Sequence, residues 1–152
     1  MPRLILLCGL PGSGKTTLAK RLERDRRAVR LCPDEWIADL GVDLFDEPFR
    51  ERLERRLTAL AGDLLQQGLD VVLEFGFWSR KERDELREQA RAWAVEVELY
   101  HLTAEFDELV RRLQVRNREG FVVITEELLA AYARVFEAPD DAELALFDRP
   151  PR

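Results

Sequence analysis

Leu4-Ile5-Leu6-Leu7-Cys8-Gly9-Leu10-Pro11-Gly12-Ser13-Gly14-Lys15-Thr16-Thr17 is the stretch that decides the fold. An apolar run of strand length ends in a complete G-x-x-x-x-G-K-[ST] pattern and passes into a helix-forming segment, which is the context a phosphate-binding loop requires. Ordinary residue frequencies would produce the pattern by chance in roughly one chain of this length in a few hundred. The chemistry accounts for each residue type. Gly9, Gly12 and Gly14 allow backbone angles closed to other residues, so that successive amides of Gly9, Leu10, Pro11, Gly12, Ser13 and Gly14 can curl around an anion wherever an N–H is present. The helix opening near Lys15 adds the positive end of its dipole. Lys15 brings an ammonium to the β- and γ-phosphates, and the Thr16 hydroxyl is a ligand for a Mg²⁺ bridging them. Residues 9–16, with Thr17 in the first helical turn, are therefore the candidate nucleotide-binding set, and ATP and Mg²⁺ the implied cofactors. The loop specifies nucleotide binding more strongly than any reaction, because motors, switches, transporters and kinases all use it.

Outward from this loop, short runs rich in Leu, Ile and Val recur at residues 4–8, 28–32, 71–75 and 95–102, as strands buried on both faces of a parallel sheet do. Helical periodicity fills the intervals. Leu53, Leu57, Leu60 and Leu64 form one stripe of a long helix, with Gly68 placed to end it. Ser79-Arg80-Lys81-Glu82 reads as a capping box. Further stripes follow Thr103 (Phe106, Leu109, Val110, Leu113) and Thr125 (Leu128, Leu129, Tyr132, Phe136), each threonine being a predicted cap. Residues 143–147 read as a fifth, short strand. Strands alternating with helices imply an α/β fold with helices on both faces of a parallel sheet, in one domain spanning residues 1–152.

Three segments are predicted to face the phosphate. Cys32-Pro33-Asp34-Glu35-Trp36 follows the second strand, and in an open α/β sheet the carboxyl ends of neighbouring strands meet at one crevice. Asp34 is the candidate base that accepts the proton of an attacking hydroxyl; the simpler reading has it only capping a short helix at 35–40. Trp36 is either a wall of the substrate site or core. The third strand runs into Glu74-Phe75-Gly76-Phe77-Trp78. Glu74 stands at a Walker B position, to orient a metal-bound water or to bind a substrate hydroxyl, and Phe77 and Trp78 offer either a stacking surface or core packing. Third, Arg112 and Arg116 in Arg111-Arg112-Leu113-Gln114-Val115-Arg116-Asn117-Arg118-Glu119-Gly120 share a helix face. Such an i,i+4 like-charge pair is unfavourable unless an anion lies between them, which makes both candidate catalytic lid residues, against the alternative of a solvated basic face. His101, alone at a strand end, reads as structural. No clear DxxG or NKxD element points to a GTPase switch.

Composition bounds the partners. The 152 residues carry 24 basic and 30 acidic side chains, a net charge of −6, and only Lys15, Lys20 and Lys81 are lysines, so 21 of the 24 are arginine. An acidic chain argues against an extended surface for duplex nucleic acid, but not against a small anion in a local basic pocket. Cys8 and Cys32 are too few for a disulfide framework and lack zinc spacing. No apolar run is long enough to cross a bilayer, and the amino terminus is too short for a signal peptide, so a cytoplasmic address without membrane partners is the expectation. Oligomeric state leaves no readable signal.

The loop, Asp34 after the second strand and the arginine-rich segment together resemble the small P-loop kinases of the AAA_33 or zeta-toxin-like group. Residues 109–136, with their Arg-Arg-x-x-x-Arg-Asn core, are similar in pattern to the kinase domain of phage-type polynucleotide kinase. The resemblance implies a three-layer P-loop NTPase fold, nucleoside-monophosphate-kinase-like, with a parallel five-stranded sheet ordered 2-3-1-4-5 and a short arginine-bearing lid. It also implies transfer of the γ-phosphate of ATP to a hydroxyl, with Asp34 as base and Arg112 or Arg116 on the phosphate. With that strand order Cys8 and Cys32 lie on strands separated by a third, roughly 9–10 Å apart and beyond disulfide reach. The sequence departs from the polynucleotide kinase pattern. It lacks a second basic residue flanking Asp34, has Glu74-Phe75-Gly76-Phe77 in place of an Asp-Thr pair, and is acidic overall. A small hydroxylated acceptor (a sugar, an antibiotic or a nucleoside-like molecule) is therefore the first expectation, a polynucleotide 5′-hydroxyl the second. The third is an ATP-binding regulatory module with weak or no hydrolysis.

Overall fold

Strand β1 (Arg3–Cys8) lies inside a parallel sheet ordered β2-β3-β1-β4, with β2 at Val29–Leu31, β3 at Val71–Gly76 and β4 at Glu96–His101. The computed structural model describes residues 1–118 and 123–151. Leu4 to Cys8 are wholly buried, as expected for a strand covered on both faces. The register pairs Leu4 with Val71 and Val97, and Leu6 with Leu73 and Leu99; Val29 pairs with Val71 and Leu31 with Leu73.

Period-two alternation then sorts the side chains. Leu4, Leu6, Cys8, Leu31, Val71, Leu73 and Val97 enter one core with helix α3 (Glu47–Gln66), while Ile5, Leu7 and Val72 enter a second core with helix α1 (Lys15–Arg26). Glu74, two residues beyond Val72, therefore emerges on the α1 face, where the phosphate-binding loop ends. Arg30, between Val29 and Leu31, shares that face. Helix α2 (Pro33–Asp39) follows β2 directly, and α4 (Arg80–Ala92) connects β3 to β4. Helices α5 (Phe106–Arg118) and α6 (Glu126–Val135) form a smaller cluster around Leu109, Leu113, Ile124 and Leu129, and Leu10 of the loop packs against it.

The expected helix signals are largely present. Leu53 and Leu57 are buried, with Leu60 and Leu64 packed against the same core, and Gly68 takes φ +87° just beyond the end of α3. The Ser79 hydroxyl accepts from the Glu82 amide, and the Thr125 hydroxyl from the Leu128 amide. Thr103 is not a cap: α5 starts three residues later, its first-turn bond running from the Leu109 amide to the Glu105 carbonyl.

The fifth strand expected at 143–147 is not formed. Those residues lie at a short helix, α7 (Asp141–Leu144), whose amino end is capped by the Asp140 carboxylate accepting from the Glu143 amide. The physical reason is Glu143, which is 2% exposed and forms a two-pronged ion pair with Arg83, itself 1% exposed. A charge buried in this way needs its partner, and α7 is the element that presents Glu143 to Arg83.

Candidate active site

Backbone geometry makes the loop possible. Gly12 and Gly14 take φ +84° and +103°, and a Cβ at Gly9 would stand 2.5 Å from Ser13 Oγ and 2.8 Å from the Leu102 carbonyl. Gly14 is the N-cap of α1 and offers no side-chain acceptor, so the first-turn amides are left to an external anion. The Lys15 ammonium lies across the loop, donating to the carbonyls of Gly9 and Leu10, each at 2.9 Å. Burial lowers its pKa to about 8, Arg116 contributes in the same direction, and Glu74 and Asp34 oppose it.

The loop is braced from behind by the turn after β3. The Gly9 amide donates to the Gly76 carbonyl at 3.0 Å, and Trp78 Nε1 donates to the Gly9 carbonyl at 3.2 Å. Phe77, at φ +48°, is 1% exposed and stacks on Phe75, so it belongs to the core rather than to a substrate wall. Its carbonyl accepts from Arg83 Nη1 at 2.8 Å and from Cys8 Sγ at 3.3 Å. Trp78 is half-buried, its ring 4.7 Å from that of Tyr132. Trp36, on α2, is 40% exposed. His101 packs 5.8 Å from the Phe136 ring, and its pKa is lowered by burial.

Thr16 Oγ1 donates to Glu74 Oε2 at 2.9 Å. A hydroxyl beside a carboxylate at the mouth of a phosphate loop fits Mg²⁺, which takes one or two hard protein oxygens and completes its shell with phosphates and water. Thr16 and Glu74 are thus the residues able to hold or orient such an ion. Thr17 follows in the first turn of α1 and is exposed.

Asp34 does not cap the helix after β2, because α2 already begins at Pro33 behind Cys32. It lies in the first turn, where Arg50 Nη2 of α3 holds its Oδ1 at 2.6 Å; among the described residues nothing bonds Oδ2. Arg50 also approaches Glu54 at 3.9 Å. Burial raises the Glu54 carboxyl to about 7, with Glu82, Asp34 and Glu47 adding to the rise against Arg50. Burial raises the Tyr132 hydroxyl above its ordinary value. Arg50 and Glu54 were not singled out by the sequence. Their helix carries no motif of the site, and only tertiary packing brings Arg50 to Asp34.

Arg112 Nη1 donates to the Gly12 carbonyl at 3.0 Å while its Nε donates to Glu108 at 2.9 Å, so this arginine rests on the phosphate loop itself. Arg116, one turn on, is exposed. The Glu119-Gly120 end of the expected lid lies outside the described residues. Cys8 and Cys32 are both free and buried, and burial pushes their thiols up to about 11 and about 12.

The AAA_33 family model, described as an AAA domain, matches residues 4–139. No curated protein gives a sequence match. Among solved structures, the chain is similar to one in the Pnkp1/Rnl/Hen1 RNA repair complex, at 22% identity and TM-score 0.72 over 88% of this chain and 43% of that one. It thus spans less than half of that relative. A gluconokinase from Sinorhizobium meliloti 1021 matches at 21% identity and TM-score 0.64, over 92% of this chain and 78% of that one. A sugar kinase from Janibacter sp. HTCC2649 matches at 26% identity and TM-score 0.68, over 94% and 82%. The α/β fold with its parallel sheet matches that of P-loop kinases, with four strands among the described residues in the order 2-3-1-4.

Proposed function

Because the chain belongs to the AAA_33 family of AAA domains, we propose that residues 1–152 act as one ATP- and Mg²⁺-dependent phosphotransferase that moves the γ-phosphoryl group to a hydroxyl of a small molecule. The observation that supports this reading is the Asp34 carboxylate in the first turn of the helix that follows β2, with Oδ1 held by Arg50 at 2.6 Å. Arg50 holds the carboxylate in place through Oδ1, leaving Oδ2 for an incoming hydroxyl. The hydroxyl proton passes to Asp34, the acceptor oxygen bonds the γ-phosphorus, the bond to the β,γ-bridging oxygen breaks, and ADP leaves. Lys15 and the loop amides bind the phosphates, and Arg112 and Arg116 supply positive charge where negative charge develops. Mg²⁺, when bound, neutralises the β- and γ-oxygens.

The surroundings of Asp34 favour a small acceptor over a polynucleotide. The chain carries a net charge of −6 and no second basic residue flanks Asp34, so a phosphodiester chain would meet more repulsion than attraction there. No described helix is long and apolar enough to cross a membrane, and two free, buried thiols suit the reducing cytoplasm. The test is transfer of labelled γ-phosphate to a panel of hydroxylated metabolites, aminoglycosides and nucleosides, with Asp34→Asn as control. The variant should keep its ATP affinity and lose transfer by about 10²-fold or more. Undiminished transfer overturns the base role, and no transfer by the wild type to any acceptor leaves the regulatory-module reading. Steep salt dependence of acceptor binding would instead select the polynucleotide 5′-hydroxyl.

A further inference from the structure

Arg30 carries an arrangement that the nucleotide loop and the base do not explain. Its side chain is 7% exposed. Nε donates to Glu74 Oε1 at 3.0 Å, and Nη1 donates to Glu35 Oε2 at 2.8 Å. Nη2 is buried with no hydrogen-bond partner among the described residues. Glu74, 6% exposed at its side chain, uses its other oxygen to accept from Thr16 Oγ1 at 2.9 Å and from Cys32 Sγ at 3.2 Å. One guanidinium thus reaches from the Thr16–Glu74 pair to α2, gripping the residue next to Asp34.

Stability alone does not account for such a residue. Leaving one donor of a buried guanidinium unpaired is unfavourable, and a well-packed apolar pair at such a place is commonly as stable or more so. The chemistry of Thr16 supplies the reason. A hydroxyl offers lone pairs to a cation only when its proton is directed elsewhere. Glu74 accepts the hydroxyl's hydrogen bond when its carboxylate is aimed at Thr16, and Arg30 provides that aim, since its planar fork fixes the carboxylate from the other oxygen.

We propose that Arg30 is a positioning residue for the Mg²⁺-nucleotide: acting through Glu74, it keeps the Thr16 hydroxyl turned so that its oxygen is available to the metal, and through Glu35 it ties that arrangement to the helix bearing Asp34. The proposal rests on the phosphotransferase reading only in its use of a Mg²⁺-nucleotide at the loop, and it is tested without an acceptor. The measurement is the affinity for ATP by titration calorimetry, in EDTA and at increasing Mg²⁺, for the wild type, Arg30→Met, Arg30→Gln and Arg30→Lys, each checked for folding by thermal denaturation. In EDTA the variants should bind ATP within about threefold of wild type, because loop amides and Lys15 are untouched. The tightening that Mg²⁺ produces should fall by about tenfold or more in Arg30→Met and Arg30→Gln, the scale on which outer-shell partners act, and Arg30→Lys should recover part of it. Should Arg30→Met not fold, Arg30→Gln, which keeps a donor without the charge, decides. Wild-type tightening in these variants, or an equal loss of affinity in EDTA, overturns the proposal. Loss confined to the Mg²⁺ arm in the variants, alongside a wild type that phosphorylates nothing, would uphold Arg30 and sink the phosphotransferase reading instead.

Discussion

Replacing Glu143 by alanine leaves the Arg83 guanidinium, 1% exposed, without its two-pronged partner. The bonds lost are Nε to Oε2 at 2.6 Å and Nη2 to Oε1 at 3.0 Å, and only the Phe77 carbonyl at 2.8 Å and a weak contact to Cys8 Sγ remain. Breaking a buried pair from one side costs about 3–5 kcal/mol, because a charge stays behind in the protein interior. For a chain of this length each kcal/mol moves the melting temperature by about 2–4 °C, so a fall of roughly 6–20 °C is expected by differential scanning calorimetry. The effect should extend to the active site, since Arg83 pins the Phe77 carbonyl in the turn that supplies Gly76 and Trp78 to Gly9. Weaker ATP binding, measured well below the melting temperature, is the expected companion. The double variant Arg83→Met/Glu143→Leu removes both charges together and should recover most of the stability, giving a coupling of about 2 kcal/mol or more in the double-mutant cycle. A Glu143→Ala protein that melts within about 3 °C of wild type, or two single losses that simply add, would refute the reasoning.

The lowered pKa of Lys15, about 8, predicts that ATP affinity measured without metal falls as pH rises through that value, by up to about tenfold per unit, because the ammonium form is the one that binds the anion. Lys15→Met should abolish this dependence along with most of the affinity, and a flat wild-type profile between pH 7 and 9.5 would contradict it. Gly62→Ala places a Cβ 2.6 Å from Trp93 Cζ2 and 2.8 Å from Cε2. Overpacking at that contact should lower stability by about 1–3 kcal/mol in urea denaturation without changing ATP affinity. A neutral result would show that the indole moves aside at no cost.

Much of this architecture was legible because it is written locally. The loop needs glycine where φ is positive and lysine and threonine at set offsets, so residues 9–16 announce both their conformation and their chemistry. The helix stripe of Leu53, Leu57, Leu60 and Leu64 and the caps at Ser79 and Thr125 are equally local. Reading failed where a residue's partner is distant in the chain. Residues 143–147 have a strand-like pattern, yet Glu143 is held by Arg83, 60 residues away. Phe77 resembled a stacking surface until β3 alternation and the turn directed it into the core.

By itself, then, the sequence determined a strand-loop-helix phosphate site, parallel strands alternating with helices, and Asp34 as the carboxylate after the second strand, because each of these depends on backbone constraints and periodicities set within a few residues. Only the tertiary structure decided what surrounds them. Arg50 on Asp34, the Arg30–Glu74–Thr16 chain and Arg112 on the Gly12 carbonyl join elements 16, 44, 58 and 100 residues apart. A guanidinium satisfies its directional donors wherever packing brings an acceptor, and no local pattern among 21 arginines singles out Arg30 or Arg50.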